Sequence, residues 1–312
     1  MGRLSLGNVR KVLMGVFALG LAYAGLRFAL RGLDWPSFQV QLQQLDWRWL
    51  LLAVIFDIAS YVAQGARWRF LLDGASLWQT TRAIYAGLFL NELIPLRPGE
   101  AVRAWLASRD LNVRLLTVVP TMVAERLMDG LWLAVALVAA LFLAPLPSYL
   151  VRGAELVVAI VCALLMTAWL LGYSRSSLVC KVRMGLGNVP ALASSGCFLL
   201  AQGLAFWAVI RASHLPLGLF AAFFVMVIVR IGTMIPGAPA NLGTHQFSTV
   251  LGLSLYGIRQ PEAAGFSIVV FTVLTAPLLV LGLAACLSAG LTWQGVRRAA
   301  APLPGGLHEL ST

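Results

Sequence analysis

The sequence predicts an all-α integral membrane protein with about six full transmembrane helices and two re-entrant, broken-helix hairpins that are related as inverted repeats. Three observations support this fold class. Of the 312 residues, 60% are hydrophobic and only 11% are charged, whereas about half of the residues of soluble domains are apolar. The mean hydropathy is correspondingly high, at +0.86. The basic residues stand in short segments between apolar runs. Two of the apolar runs are interrupted by a pair of prolines.

The net charge of +11 does not indicate a nucleic-acid partner, because the basic residues are not gathered on one surface. Their placement orients membrane spans and attracts anionic lipid headgroups. The four cysteines have no paired spacing, which argues against a zinc site or a disulfide framework. We therefore expect no nucleic-acid partner, no metal, no cofactor and no catalytic residue.

The long apolar runs predict the full spans. They cover residues 12–30, 49–72, 115–143, 155–171, 192–211 and 263–291. Arg3, Arg10 and Lys11 precede the first span, and Arg297 and Arg298 follow the last, so both termini are expected to be cytoplasmic.

These spans form a single polytopic membrane domain over residues 1–298. Its first repeat covers about 12–144 and its second about 155–291. The tail, 299–312, is rich in proline and glycine and is expected to be disordered.

The segment Asn91–Arg103 contains four charges, two prolines and a glycine within an otherwise apolar region. Irregular, charged backbone at membrane depth is tolerated only where protein or a water-filled cavity surrounds it. The helical pattern before Pro95 is too short to span, and basic residues flank the break on both sides. The segment is therefore predicted to be a re-entrant hairpin that enters from the cytoplasmic side.

A second interruption, Pro236 to Gly243, shares the pattern I-P-x-x-P with the first. If the second break is also re-entrant, the count of basic residues requires it to enter from the outside. Two broken segments at corresponding positions of the two halves indicate a transporter-type site. The two halves are thus predicted to be inverted repeats.

A broken helix places helix N-termini deep in the membrane, where free N–H groups favour an anion. Pro98 suits the first position of one such helix, and Asn241 or Thr244 suits the cap of the other. The candidate anion-binding residues are Asn91, Arg97, Glu100, Arg103, Glu125, Arg126 and Asp129 in the first half, and Pro236, Asn241, Gly243, Thr244, His245 and Gln246 in the second hairpin. The charged residues could instead form a structural ion-pair network, and they could also have both roles, binding an anion and stabilising the fold.

The sequence contains four motifs of note: Asn91-x-x-Ile94-Pro95-Leu96-Arg97-x-Gly99-Glu100-x-x-Arg103, Glu125-Arg126-x-x-Asp129, Pro236 through Gly243, and Arg67-Trp68-x-x-Leu71-Leu72. Together they resemble the flippase-like transmembrane family typified by the membrane region of lysylphosphatidylglycerol synthases. The resemblance implies an inner-membrane protein of bacteria or archaea with re-entrant helices, which moves lipids or lipid-linked headgroups between leaflets.

The chain departs from that family in two respects. The sequence contains no aminoacyltransferase domain, so synthase activity is not expected. Many members have a glutamate shortly after the glycine of the last motif, where this chain has His245 and Gln246. A role that needs a carboxylate at that position is not carried over.

The leading hypothesis is a translocase for an anionic phospholipid or a polyprenyl-linked headgroup, held in a polar cavity between the two hairpins. Because the first hairpin carries the arginines, removing Arg97 or Arg103 is expected to impair function more than changes in the second hairpin. Two alternatives stay open. One is a membrane enzyme that uses Glu100, Glu125 or Asp129 as a base on a lipid phosphate. The other is a non-transporting partner of a lipid-modifying enzyme or a glycosyltransferase.

Overall fold

The computed structural model describes residues 20, 23–31, 33–94, 98–143, 148–171, 177–234 and 241–291. This part of the chain is helical and contains no strand. The predicted first span lies mostly outside the described residues, although residues 23–29 are helical. The tail predicted to be disordered lies wholly outside them.

The first half contains the helices α1 (Trp35–Gln43), α2 (Trp47–Leu71), α3 (Leu77–Leu93), α4 (Gly99–Leu111) and α5 (Leu115–Leu143). Capping side chains fix where the first three begin. Asp34 and Asp46 accept backbone hydrogen bonds at the start of α1 and α2, and Ser76 forms a reciprocal capping box with Gln79 at the start of α3.

The second half contains α6 (Ser148–Leu171), α7 (Ser177–Leu186), α8 (Val189–Ala212), α9 (Leu219–Met234), α10 (Thr244–Ser254) and α11 (Gln260–Ser288). From α7 onward it repeats the order of the first half: a short helix, a long helix, two shorter helices and a second long helix. The lengths are 9, 25, 17, 13 and 29 residues in α1 to α5. In α7 to α11 they are 10, 24, 16, 11 and 29 residues.

Helices α3 and α4 form a tight antiparallel hairpin, which we call hairpin 1. Gly87 and Gly99 bring the two backbones together, because a Cβ at Gly99 would lie 1.8 Å from the carbonyl oxygen of Gly87. At the open end of the hairpin, Arg82 pairs with Asp110. Small residues allow such close approach between helices in membranes.

Helices α9 and α10 form hairpin 2, which is also antiparallel. A Cβ at Gly232 would lie 2.9 Å from the Cβ of Ser248, and one at Gly252 would lie 2.9 Å from the side chain of Val225. Each half of the chain therefore contains one hairpin of two short helices, closed by a glycine contact. Helix α11 packs against both hairpins.

The long helices α2 and α8 run antiparallel and pack along their whole length. At one end the Asp46 N–H donates to the carbonyl oxygen of Ala212 at 3.1 Å, and at the other Asn188 Nδ2 donates to that of Phe70 at 2.9 Å. Asp46 and Asn188 are the N-caps of α2 and α8. The two corresponding helices thus make corresponding contacts in opposite directions.

Four described helices have the length and apolar composition to cross a membrane: Trp47–Leu71, Val151–Leu170, Val189–Ala212 and Gln260–Ser288. Of the six predicted spans, these four are confirmed by length and composition. Helix α5 has 29 residues, about 43 Å at 1.5 Å per residue, but carries three charges near its middle.

Candidate functional site

Seven charged side chains from four helices meet in the structure, and we call them the charged cluster. Its members are Arg67 from α2, Glu100 and Arg103 from α4, Glu125, Arg126 and Asp129 from α5, and Arg230 from α9. Five of the seven were predicted as site residues, and the structure brings all five together. The cluster connects hairpin 1 with hairpin 2.

Glu125 lies at the buried centre of the cluster. Its Oε1 accepts from Arg67 Nε at 3.1 Å, and its Oε2 accepts from Arg103 Nη2. Arg67 also donates to Asp129 and, at 2.9 Å, to Ser195 Oγ on α8. The side chains of Arg67, Arg103 and Glu125 are at most 5% exposed. Because an unpaired buried charge is costly, these contacts stabilise the packing of α2, α4, α5 and α8.

Arg103 is also fixed by an aromatic ring. Its guanidinium carbon lies 3.8 Å from the centroid of the Trp68 ring. Trp68 Nε1 in turn donates to Thr121 Oγ1 at 3.0 Å. A cation–π contact of this kind contributes about 0.5–2 kcal/mol. Arg103 is therefore bound on two sides, and its main role in this geometry is to hold Glu125.

The other edge of the cluster is open. The Arg126 side chain is 57% exposed and pairs with Glu100 and, at 3.5 Å, with Asp129. The Arg230 side chain is 20% exposed, lies 4.0 Å from Asp129 and donates to Gln202. These two guanidinium groups face space that a ligand can occupy.

The cluster has one positive charge more than its carboxylates balance. Four arginines face three carboxylates, which leaves a formal charge of +1. Charges inside a membrane protein are normally paired with one another or with a ligand. An anion at the open edge would balance the excess.

A cavity of about 530 Å³ lies along the open edge of the cluster. Both hairpins contribute to its polar wall, hairpin 1 through Asn91, Glu100 and Arg103, and hairpin 2 through Arg230 and Thr233. The opposite wall is apolar and comes from helix α6, through Val157, Ile160, Val161 and Leu164. Ile160 and Leu164 are each more than half exposed, so this wall also forms part of the outer surface. The cavity is therefore charged on one side and apolar on the other.

Asn91 has a structural role in addition to lining the cavity. Its Oδ1 accepts from the Gly99 N–H at 2.8 Å, which joins the end of α3 to the start of α4. The Gly99 N–H is therefore engaged within hairpin 1. Pro98 is the N-cap of α4 rather than its first helical residue, so the helix begins one residue later than predicted.

The polar residues predicted in hairpin 2 mainly hold the start of α10. Gln246 Oε1 accepts from the Gly243 N–H at 2.7 Å, and Thr244 Oγ1 donates to the Asn241 carbonyl oxygen at 2.9 Å. The N-cap is Gly243, with φ of 86°, so the expectation that Asn241 or Thr244 caps this helix is wrong. Asn241 and His245 line a second, smaller cavity. Arg97 and Pro236, the remaining predicted site residues, lie outside the described residues.

Sequence reasoning missed three members of this site. Arg230 is the single charge in the apolar run that forms α9, and a lone arginine at membrane depth is itself a signal of function. Arg67 was noted as part of the motif Arg67-Trp68-x-x-Leu71-Leu72 and not as a partner of Glu125. Gln202 carries no pattern in the sequence, because only the folded structure places it beside Arg230.

The comparison with known proteins covers most of the chain and not only the site. A family model described as the lysylphosphatidylglycerol synthase TM region matches residues 13–282, which include every member of the charged cluster. Searches among curated proteins and among solved structures found no match. With 270 of its 312 residues matched, the chain belongs to the family of the lysylphosphatidylglycerol synthase transmembrane region.

Proposed function

We propose that the protein is a translocase that moves a lipid with an anionic headgroup, or a lipid-linked headgroup, between the leaflets of a membrane. The observation that carries this proposal is the cavity of about 530 Å³, with a charged wall from both hairpins and an apolar wall from α6. A lipid likewise combines a charged headgroup with apolar chains. Membership of a family named for a lipid-metabolising membrane protein is consistent with it.

The headgroup phosphate would bind at the open edge of the charged cluster. Of the arginines there, Arg126 has an exposed side chain and Arg230 a partly exposed one, and guanidinium groups match phosphate oxygens in geometry and charge. The excess charge of +1 favours an anion over a neutral or cationic headgroup. We therefore assign an anionic phospholipid or a polyprenyl-linked phosphate as the class of substrate.

The acyl chains would stay in contact with the bilayer during transport. The wall formed by α6 is apolar, and its side chains at Ile160 and Leu164 are more than half exposed. A lipid can therefore enter sideways between α6 and the hairpins without removing its chains from an apolar environment. This arrangement avoids the cost of moving hydrocarbon through a polar site.

The repeated helix order supports an inverted-repeat mechanism. Helices α2 and α8 occupy the same place in the two halves and run antiparallel, and each half has its own hairpin. We propose that the two hairpins are re-entrant from opposite sides of a bacterial or archaeal cytoplasmic membrane, with both termini in the cytoplasm. Rocking of one half against the other would then open the cavity to each leaflet in turn.

The contacts of the carboxylates favour binding over base catalysis. Glu100, Glu125 and Asp129 each pair with at least one arginine. A general base must accept a proton, and these groups are engaged as ion-pair acceptors instead. No group of three or more His, Cys, Asp or Glu side chains in the described residues is arranged to hold a metal.

Leaflet exchange in reconstituted vesicles tests the proposal. The full chain is placed in phosphatidylcholine vesicles with a trace of fluorescent phosphatidylglycerol, and dithionite added outside bleaches only the outer leaflet. We expect wild-type protein to expose the inner pool. We expect Arg126→Gln and Arg230→Gln each to slow exchange about tenfold or more, since a charge-assisted hydrogen bond contributes about 1.5–3 kcal/mol.

Arg259→Gln is the matched control for Arg126→Gln. Arg259 is also exposed and pairs with a carboxylate three residues away, Glu262, but it lies outside the cavity. Its exchange rate should equal that of the wild type. Exchange no faster than in empty vesicles, or equal rates for all three variants and the wild type, would refute the proposed role of the cavity.

A further inference from the structure

A second cavity, of about 200 Å³, adjoins the first and contains a different kind of chemistry. Its lining includes Asp57 from α2, Glu92 from α3 and His245 from α10, with apolar side chains such as Phe206 and Leu278 around them. Three of the five charged side chains that border the first cavity are arginines, whereas the second cavity is bordered by two carboxylates and an imidazole, which can gain and lose a proton, together with Arg230.

Asp57 is the most unusual of these groups. It lies within α2, one of the helices suited to cross a membrane, and is only 3% exposed. Its Oδ2 atom has no hydrogen-bond partner among the described residues. By contrast, Glu125 and Asp129, which are similarly buried, are each paired with arginines. A buried carboxylate without a partner is costly as an anion, so a structural role does not explain its presence.

The titratable and charged groups around Asp57 come from four helices. They are Tyr61 from α2, Tyr85 and Glu92 from α3, Arg230 from α9 and His245 from α10. Helices α8 and α11 contribute uncharged side chains, among them Gln202, Phe271 and Thr275. The Nδ1 atom of His245 also lacks a hydrogen-bond partner among the described residues, and its ring packs edge-on against Phe271.

The two cavities are adjacent and share four lining residues: Tyr61, Gln202, Arg230 and Thr233. Arg230 is the only one of the four that carries a charge. The guanidinium group of Arg230 therefore lines both the cavity that contains Asp57 and the proposed headgroup site.

We propose that the second cavity is a proton site, in which Asp57 takes up one proton together with the anionic headgroup and carries it across the membrane. This inference rests on the proposed function. Protonation forms an O–H bond on the carboxylate with a proton from water on one side, and release breaks that bond and returns the proton to water on the other. No electrons are transferred.

The direction of coupling follows from charge. When Asp57 is neutral, the cavity that Asp57 and Arg230 both line contains one negative charge fewer, so a phosphate in the adjoining cavity is repelled less and binds more tightly. By linkage, a bound phosphate favours the protonated state of Asp57 to the same extent. Proton and anion therefore bind together, which makes the predicted transport a symport.

A pH gradient across the vesicles described above tests this inference. One pH unit is equivalent in free energy to a tenfold concentration ratio, so one proton per lipid drives up to about tenfold enrichment of the phosphatidylglycerol probe in the leaflet toward which protons flow. We expect Asp57→Asn to exchange lipid at equal pH but to show no enrichment. Asp57→Glu should keep the enrichment, and so should Glu262→Gln, a control outside both cavities.

The outcomes separate the two proposals. Wild-type exchange without enrichment, enrichment in Asp57→Asn, or enrichment driven by a sodium gradient at equal pH would overturn the proton site and leave the translocase proposal intact. Absence of wild-type exchange would overturn the translocase proposal itself.

In that case infrared spectroscopy of the protein in phosphatidylglycerol nanodiscs tests whether Asp57 takes up a proton. A protonated-carboxyl band that rises with falling pH and is missing in Asp57→Asn supports the site, and its absence in the wild type contradicts it.

Discussion

At the scale of single residues, the structure distinguishes two kinds of arginine in one cluster. Arg67 and Arg103 are buried, and both pair with Glu125, which lies between them. Arg126 and Arg230 are partly exposed to the cavity. The first pair is suited to stabilising the packing of the helices, and the second pair is suited to binding a ligand.

This distinction predicts a large loss of stability for Glu125→Gln. The substitution removes the charge that two buried guanidinium groups share, and breaking a buried ion pair on one side costs about 3–5 kcal/mol. Glu262→Gln is the control, because its partner Arg259 is 81% exposed and such pairs contribute about 0–1 kcal/mol. Thermal unfolding in detergent should show a much lower midpoint for Glu125→Gln only. Similar midpoints for both variants would contradict the structural role of Glu125.

The residues of the site were predictable where charge interrupts an apolar pattern. Glu100, Arg103, Glu125, Arg126 and Asp129 were all predicted, and all lie in the charged cluster. Their division into structural and ligand-facing groups was not predictable, because it depends on burial in the folded state.

Arg230 alters one expectation from the sequence. Hairpin 2 was regarded as the uncharged half of the site, so its changes were expected to matter less than those in hairpin 1. Arg230 on α9 gives hairpin 2 a charge at the cavity. Because Arg103 is held by Glu125 and Trp68, we now expect Arg230 to contribute more to headgroup binding than Arg103.

At the scale of elements, hairpin 1 depends on the contact between Gly87 and Gly99. A methyl group at Gly99 would lie 1.8 Å from a backbone oxygen that has no freedom to rotate away. The Gly99 N–H also donates to Asn91. The position of Glu100 and Arg103, which follow directly in α4, is therefore set by this contact.

We expect Gly99→Ala to destabilise the protein by about 1–3 kcal/mol or more, since overpacking forces the backbone to shift. It should also slow lipid exchange, because the cavity-facing residues of α4 move with the backbone. Gly153→Ala is the control: Gly153 lies within α6 with no atom within 4 Å of an added Cβ, and alanine there is a better helix former. Thermal unfolding of the two variants checks this, and a stable, fully active Gly99→Ala protein would contradict it.

Helix boundaries were predicted to within a few residues where proline, glycine or a capping side chain marks them. The predicted span 49–72 corresponds to α2, Trp47–Leu71, and the predicted span 192–211 corresponds to α8, Val189–Ala212. The details of the caps were not predictable. Gly243 begins α10 with the help of Gln246, a contact that depends on a local fold with positive φ.

At the scale of the whole molecule, the charge pattern of the sequence predicted two inverted halves. The structure adds the repeated helix order and the antiparallel pairing of α2 with α8, which support that arrangement. Packing between the halves could not be predicted, because residues far apart in the chain meet there without a shared pattern. The contact of Arg67 with Ser195, 128 positions apart, is one example.

The central claim is that one cavity, bordered by both hairpins, holds the phosphate of an anionic lipid. A crystal structure of the full chain grown from a lipid phase doped with phosphatidylglycerol tests it most directly. The account predicts a phosphate within about 3 Å of the guanidinium nitrogens of Arg126 or Arg230, with an acyl chain along α6. Lipid phosphates bound only at the outer surface, with the cavity occupied by water alone, would contradict it.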